Sequence, residues 1–250
     1  MSYTSKRRTI GAGIVLAGLF TASGCAQEQE ALIVLNAPRW GDSETCEVDT
    51  AAEGLLFGRL DLDFGTGYLM PAALQNQLVT TDAMITNSAT DNGELQLVGA
   101  DVVLRSSQAP ELIDALSAEN SAFVEFSKDL PSSSIPSSSA LGVAVEVVSQ
   151  AAAVSLATLV PSVLGEGAQP EIIADVIFLA RRSGNKVGKL GEFESRTFSF
   201  PIQLTSLYSC AGCPDQQCPV GQPTSFIGGA CGNAQDLLIG PAQCDDPNGN

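Results

Sequence analysis

Apolar and polar side chains alternate repeatedly along the middle of the chain, the mark of half-buried strands. The alternation is clearest in "RTFSFPIQLTSL". There Phe198, Phe200, Ile202 and Leu204 fall on one face, and Ser199, Pro201, Gln203 and Thr205 on the other. "GRLDLDFG" sets Leu60, Leu62 and Phe64 against Asp61 and Asp63, which predicts a strand whose wet face carries both carboxylates. Gly65-Thr66-Gly67 is a turn signal, and Pro71 in the following "GYLMPAALQNQL" belongs at a sheet edge or a bulge. "DNGELQLVGADVVLR" supplies Leu95 and Leu97, then Val102 and Leu104, with Gly99 read as a bend rather than a register break. "SAFVEFS" is a further short strand. "EIIADVIFLARR" is a continuous apolar run, typical of a strand buried on both faces.

One segment departs from period two. "VEVVSQAAAVSLATLV" begins as a strand near 141–148 and becomes alanine-rich, which predicts a short helix near 149–160 ended by Pro161. "PELIDALSAE" could add one more helical turn or two. "LPSSSIPSSSA", residues 130–140, reads as an exposed, mobile Ser/Pro loop. Strands separated by turn signals, without alternating helices, predict a mainly β domain over 32–209 built as an antiparallel β-sandwich with one short helix. From Cys210 onward Gly, Pro, Gln, Asn and Cys replace the strand pattern, so residues 210–250 are expected to form a disulfide-pinned appendage.

The beginning of the chain has a different logic. Lys6, Arg7 and Arg8 precede the apolar run "IGAGIVLAGLF", 11 residues that are short for a spanning helix. "TASG" then leads into Cys25. Small residues before a cysteine, behind such a run, resemble the lipobox of bacterial lipoproteins. The resemblance implies a signal peptide over 1–24, diacylglycerol on the Cys25 thiol, acylation of the new amino terminus, and a polar tether over 25–31. Ala22 stands where that family usually has Leu. Ala26, where Asp would favour inner-membrane retention, implies delivery to the outer membrane. A twin-arginine signal at Arg7-Arg8 is a minor alternative, because the "TIG" that follows fits it poorly. Through the loose motifs "ASGC", "GADVVL" and "FSFPIQL" and its cysteine-rich end, the chain is also similar to outer-membrane lipoproteins of delta-proteobacteria. That similarity implies a fibronectin-III or immunoglobulin-like sandwich and lends no activity.

Composition narrows the function further. Removing residues 1–24 takes away three of the twelve basic residues and moves the formal net charge from −16 to −19. So acidic a chain cannot hold nucleic acid through phosphate contacts, and anionic lipid headgroups repel it, so its expected membrane contact is covalent lipid at Cys25. Apart from Cys25 there are six cysteines: Cys46, Cys210, Cys213, Cys218, Cys231 and Cys244. An even number in an exported chain predicts disulfides, with 15 possible pairings. Cys46 has no neighbouring cysteine, so if paired it staples the start of the domain to its tail.

Most chemistry fails on residue type. The chain has no histidine. That removes Ser-His-Asp and Cys-His machinery and the His-containing zinc and iron sites. "GDSE", Gly41 to Glu44, therefore lacks the base a lipase would need. "SGNK" places Ser183 and Lys186 at S-x-x-K spacing, but Gly and Asn between two strands predict a hairpin turn. "CAGC", Cys210 to Cys213, has redox spacing, yet three more cysteines nearby favour structural pairing. A Cys₄ zinc site would need a second C-x-x-C. Asp61 and Asp63 could serve hydrolysis or bind calcium, and "CDDPNGN" has the oxygen-rich look of a calcium loop without its distal glutamate. No cofactor motif is present. The expectation is a lipid-anchored envelope protein that binds an envelope protein or a glycan, or acts structurally, without catalysis. An exported thiol–disulfide oxidoreductase using Cys210 and Cys213 is the first alternative, and a carboxylate hydrolase the second.

Overall fold

The computed structural model describes residues 30–40, 47–78, 93–182 and 191–206. Cys25, Cys46, Cys210, Cys213, Cys218, Cys231 and Cys244 all lie outside these residues, as do Gly41 to Glu44, Ser183 and Lys186. The described chain is mainly β, with two helices. The strands are β1 (Leu32–Asn36), β2 (Gly58–Asp61), β3 (Tyr68–Asn76), β4 (Leu95–Arg105), β5 (Glu125–Ile135), β6 (Ala140–Val148), β7 (Glu171–Arg182), β8 (Glu192–Glu194) and β9 (Phe198–Thr205). Helix α1 is Pro110–Glu119 and α2 is Gln150–Leu164. They form a three-stranded sheet, β1-β3-β6, and a six-stranded sheet, β2-β9-β7-β4-β5, with β8 paired to β7.

One apolar core joins the two sheets. From the larger come Leu60, Leu97, Val102, Leu104, Val176, Phe178, Phe200 and Ile202; from the smaller, Leu32, Tyr68, Met70, Leu74, Val145 and Val147. Burying side chains of this kind is worth roughly 1.5–3 kcal/mol each. Tyr68 meets Phe200 with ring centroids 6.1 Å apart. Their bulk dictates glycine at 58, where an added Cβ would lie 2.1 Å from the Tyr68 hydroxyl and 2.8 Å from the Phe200 ring.

The helices close one end of this core. Ser149 caps α2 by accepting from Ala152 N at 3.2 Å. Pro110 opens α1, where its missing N–H costs nothing, and Leu112 and Leu116 share the buried face one turn apart. At the other end, buried Asn76 ties three segments. Its Nδ2 donates to Gly93 O (2.7 Å) and Ile135 O (2.8 Å), and its Oδ1 accepts from Leu78 N (2.9 Å).

Several expectations are corrected. The larger sheet is mixed rather than antiparallel, because β2 runs parallel to β9 in the register Gly58↔Ile202 to Asp61↔Thr205. Among the described residues the α-helices number two, and α2 passes through Pro161 to Leu164, because the loss of one amide donor is followed by Gly165 N bonding Pro161 O at 3.1 Å. The apolar run of β7 is fully buried on one face only; Ile173, Ile177 and Leu179 on the other are half-buried. Residues 130–135 are not a loop but the end of β5, an edge strand where Pro131 removes no interior ladder bond. The strand from Gly58 stops at Asp61, and Leu62–Phe64 form a 3₁₀ turn. Glu30 and Ala31, expected in the tether, already belong to the fold: Ala31 is buried, Gln77 N donates to its carbonyl, and Glu30 pairs with Arg196. Pro71 conforms to its expectation, since β1 pairs with β3 only from Ala73 onward and leaves Pro71 flanked by β6 alone.

Gly99 marks a true register break. Leu95 and Leu97 have odd numbers and Val102 and Leu104 even ones, so only an inserted residue lets both pairs face the core. That residue is Val98, between the pairs Leu97↔Ala180 and Gly99↔Leu179. Opposite it, Leu130 to Ser132 bulge from β5, between Leu97↔Ser133 and Gly99↔Asp129.

Two substitutions test this packing. Gly58→Ala should destabilise the fold by about 1–3 kcal/mol through overpacking against Tyr68 and Phe200, read as a lower urea midpoint at unchanged slope. Asn76→Ala, which leaves Gly93 O, Ile135 O and Leu78 N without their partner, should cost about 1–3 kcal/mol in the same assay. Wild-type midpoints for both variants would contradict the packing described.

Candidate functional site

The face of the larger sheet turned away from the core is half-covered at most, and it holds the polar groups that the strand alternation sends outward. Register aligns them in rows. Ser199, Asp175, Val103 and Glu125 lie side by side across β9, β7, β4 and β5; Ile177, Asp101 and Ser127 form the next row, and Leu179, Gly99 and Asp129 the one after.

In the first row Arg105 grips Asp175 through two bonds, Nε–Oδ2 at 2.5 Å and Nη2–Oδ1 at 3.2 Å. Ser199 Oγ donates to the same carboxylate at 2.5 Å. Partial burial pushes the Asp175 carboxyl up, but the hydrogen bonds from Arg105 and Ser199 and the Arg105 charge outweigh it and hold the group below the ordinary carboxylate range. The cluster is a cross-strand clamp joining β4, β7 and β9.

Beyond these rows, where Val98 and Leu130 to Ser132 bulge apart, the face sinks into an open depression of about 590 Å³. It is lined by Asp101, Asp129, Glu192 and Glu194, by the cation Arg181, and by the apolar Leu179, Leu130 and Phe193. Ser127 Oγ orients Asp101 by donating to Oδ1 at 2.6 Å. The size falls in the range of small-molecule sites, roughly 300–1,000 Å³. β8 builds one wall, through the antiparallel register Leu179↔Glu194 and Arg181↔Glu192. Buried Ser195 anchors the end of β8: its Oγ accepts from Phe178 N and donates to Arg196 O, both at 2.9 Å.

The acid pair singled out in the sequence does not share a wet face. Asp61 is buried, and its Oδ1 accepts from Asp63 N at 3.1 Å to cap the 3₁₀ turn. Asp63 instead accepts from Ser206 Oγ at 2.8 Å. Asp63 and Glu166 do line one cavity beside the end of α2, but at about 110 Å³ it is too small for a sugar ring. Among the described residues no three Asp, Glu or Cys side chains converge on a metal-binding point. The depression was not anticipated from sequence. Its signal was the switch of parity between Leu97 and Val102, together with the short "EFE" strand. No protein-family model matches the chain, and comparison with curated proteins gives no match either.

The Asp175 clamp predicts a pH dependence. Its folded pKa lies below that of the unfolded chain, about 3.9. Its contribution is therefore present above that value and disappears as pH falls through the folded one. Urea unfolding of wild type and Asp175→Asn should differ at pH 7 and converge below the carboxylate range; a gap that persists at low pH would contradict the clamp.

Proposed function

We propose that the chain is a lipid-anchored protein of the cell envelope that presents a binding domain close to the membrane, without catalysis. The observation that carries this reading is the stretch "TASGC" behind a basic start and an 11-residue apolar run. Only Ala26 to Gln29 separate Cys25 from Glu30, where the described fold begins. At about 3.5 Å per residue the span from Cys25 to Glu30 reaches less than about 20 Å. An acylated Cys25 would thus hold the domain against the bilayer, and two or three acyl chains suffice for lasting attachment. Ala26 favours the outer membrane.

The acid-lined depression is the surface we assign to the partner. Carboxylates beside apolar side chains suit a hydroxyl- or amine-bearing ligand, such as a glycan or a basic segment of another envelope protein. We read the two sheets as the layers of a sandwich in the manner of fibronectin-III and immunoglobulin domains, from which the parallel β2–β9 pair and the inserted α1 and α2 depart.

Metabolic labelling with a fatty acid should mark wild type and not Cys25→Ala, and Ala26→Asp should move the labelled protein to the inner-membrane fraction. Equal labelling of wild type and Cys25→Ala would sink the anchor. Reversing charge with Glu192→Lys and Glu194→Lys should reduce the partner recovered by crosslinking in intact cells while leaving acylation intact; an unchanged crosslink pattern would remove the depression from the account.

A further inference from the structure

Leu56 is 88% exposed, Phe57 50% and Leu35 46%. They are three of the six large apolar side chains left exposed among the described residues, and the backbone gathers them in one place. β1 ends the smaller sheet and β2 the larger. Between them, the antiparallel bridge Pro38↔Gly54 and Leu55 N donating to Ala37 O at 2.6 Å set the approach to β2 alongside the end of β1. An added Cβ at Gly54 would lie 3.1 Å from the Asn36 Cβ, so the two segments touch. Leu35 precedes Asn36, and Leu56 and Phe57 follow Leu55. Exposed Arg39 and Glu53 border the patch, joined by Arg39 N donating to Glu53 O at 3.3 Å. One charge of each sign spares this spot the acidic excess of the whole chain.

The patch also lies close to where the chain enters the fold. Along β1, Leu35 is five residues from Glu30, at most about 17 Å. A second route agrees. Glu30 pairs with Arg196, and Gly58, next to Phe57, pairs with Ile202, six residues beyond Arg196 and at most about 20 Å away. Cys25 stands five residues before Glu30, a reach of about 17 Å at full extension. The link is therefore as long as the distance it has to cover. A bilayer holding lipid on Cys25 comes within reach of the patch.

A lipid surface suits this patch better than a second copy does. A stable protein interface takes roughly 800 Å² and about 20–30 residues from each partner, far more than three side chains and two flanking charges. A bilayer demands no matching shape. Once acyl chains hold the domain, contact with the same membrane is intramolecular, so a few apolar side chains suffice to select an orientation. Leu and Phe are side chains that interfacial segments sink to the acyl boundary. The opposite signs of Arg39 and Glu53 match a zwitterionic headgroup layer.

We propose that Leu35, Leu56 and Phe57 form a second membrane contact, dipping into the lipid surface to which Cys25 is attached, so that the domain lies on its β1–β2 side. The acyl chains supply attachment and the patch sets orientation. The strand order β2-β9-β7-β4-β5 then stands the larger sheet on edge, with β5 farthest from the lipid. Asp129 and Leu130 of β5 line the depression, which leaves that wall turned toward a partner outside the bilayer. The proposal rests on the lipid-anchor reading, and its test lets the two fail separately.

Protein taken from its native membrane, with its acylation read by intact mass, is reconstituted into phosphatidylcholine vesicles. Trp40 is the chain's one tryptophan. In a Trp40→Phe background, Phe57→Trp and Leu56→Trp place single reporters in the patch, and Val103→Trp places a control on the outer face of the larger sheet. Exchanging the lipid for dibrominated phosphatidylcholine should quench emission at positions 56 and 57 several-fold and leave position 103 unchanged. An acylated protein whose reporters at 56 and 57 are quenched no more than the one at 103 would overturn the proposal and leave the anchor standing. A chain without lipid would remove both. Blue-shifted emission at 56 and 57 that bromine leaves intact and dilution reverses would overturn it in favour of a second copy.

Discussion

A single inserted residue in β4 holds this fold together. The core lies between two sheets, and β4 is an interior strand of the larger one, between β7 and β5, so both halves of β4 must point apolar side chains the same way. Their spacing forbids this in a regular strand, since Leu95 and Leu97 would face away from Val102 and Leu104. The bulge at Val98 resolves the conflict, leaving all four fully or almost fully buried. It also fixes the outer face. Beyond the bulge, Asp101, Val103 and Arg105 point outward, and the backbone mismatch with β5 opens the depression that Asp101 and Asp129 line. Core and candidate binding surface thus share one cause.

Much of this was legible in the sequence. The strict alternation of β9 and the turn between Phe64 and Tyr68 read correctly because both are local signals. The start of α2 was legible because Ser149 is a good cap ahead of alanines. What escaped was set by partners distant in sequence. Asp61 looks solvent-facing by alternation, yet it turns inward because the chain must leave β2 through a capped 3₁₀ turn. Residues 130–135 look like a loop by composition, yet they extend because β4 offers a long edge to pair with. The parallel β2–β9 pair, separated by about 140 residues, leaves no local trace. The 590 Å³ depression depends on two bulges and on β8 at once, and only the parity switch in β4 hinted at it.

We propose attachment through Cys25, whose short link would hold the fold near the bilayer. Acidity fits this, since a domain with few cations gains nothing from lipid headgroups and must depend on covalent attachment. The clamp of Arg105, Asp175 and Ser199 joins β4, β7 and β9 across the outer face.

Intact-mass spectrometry of the protein taken from its native membrane under non-reducing, alkylating conditions tests the central claim most directly. The account predicts a chain that begins at Cys25, carries a diacylglyceryl group with or without a further acyl chain, and takes up no alkylating agent because its other six cysteines form three disulfides. A chain that begins elsewhere, carries no lipid, or has alkylated cysteines would contradict it.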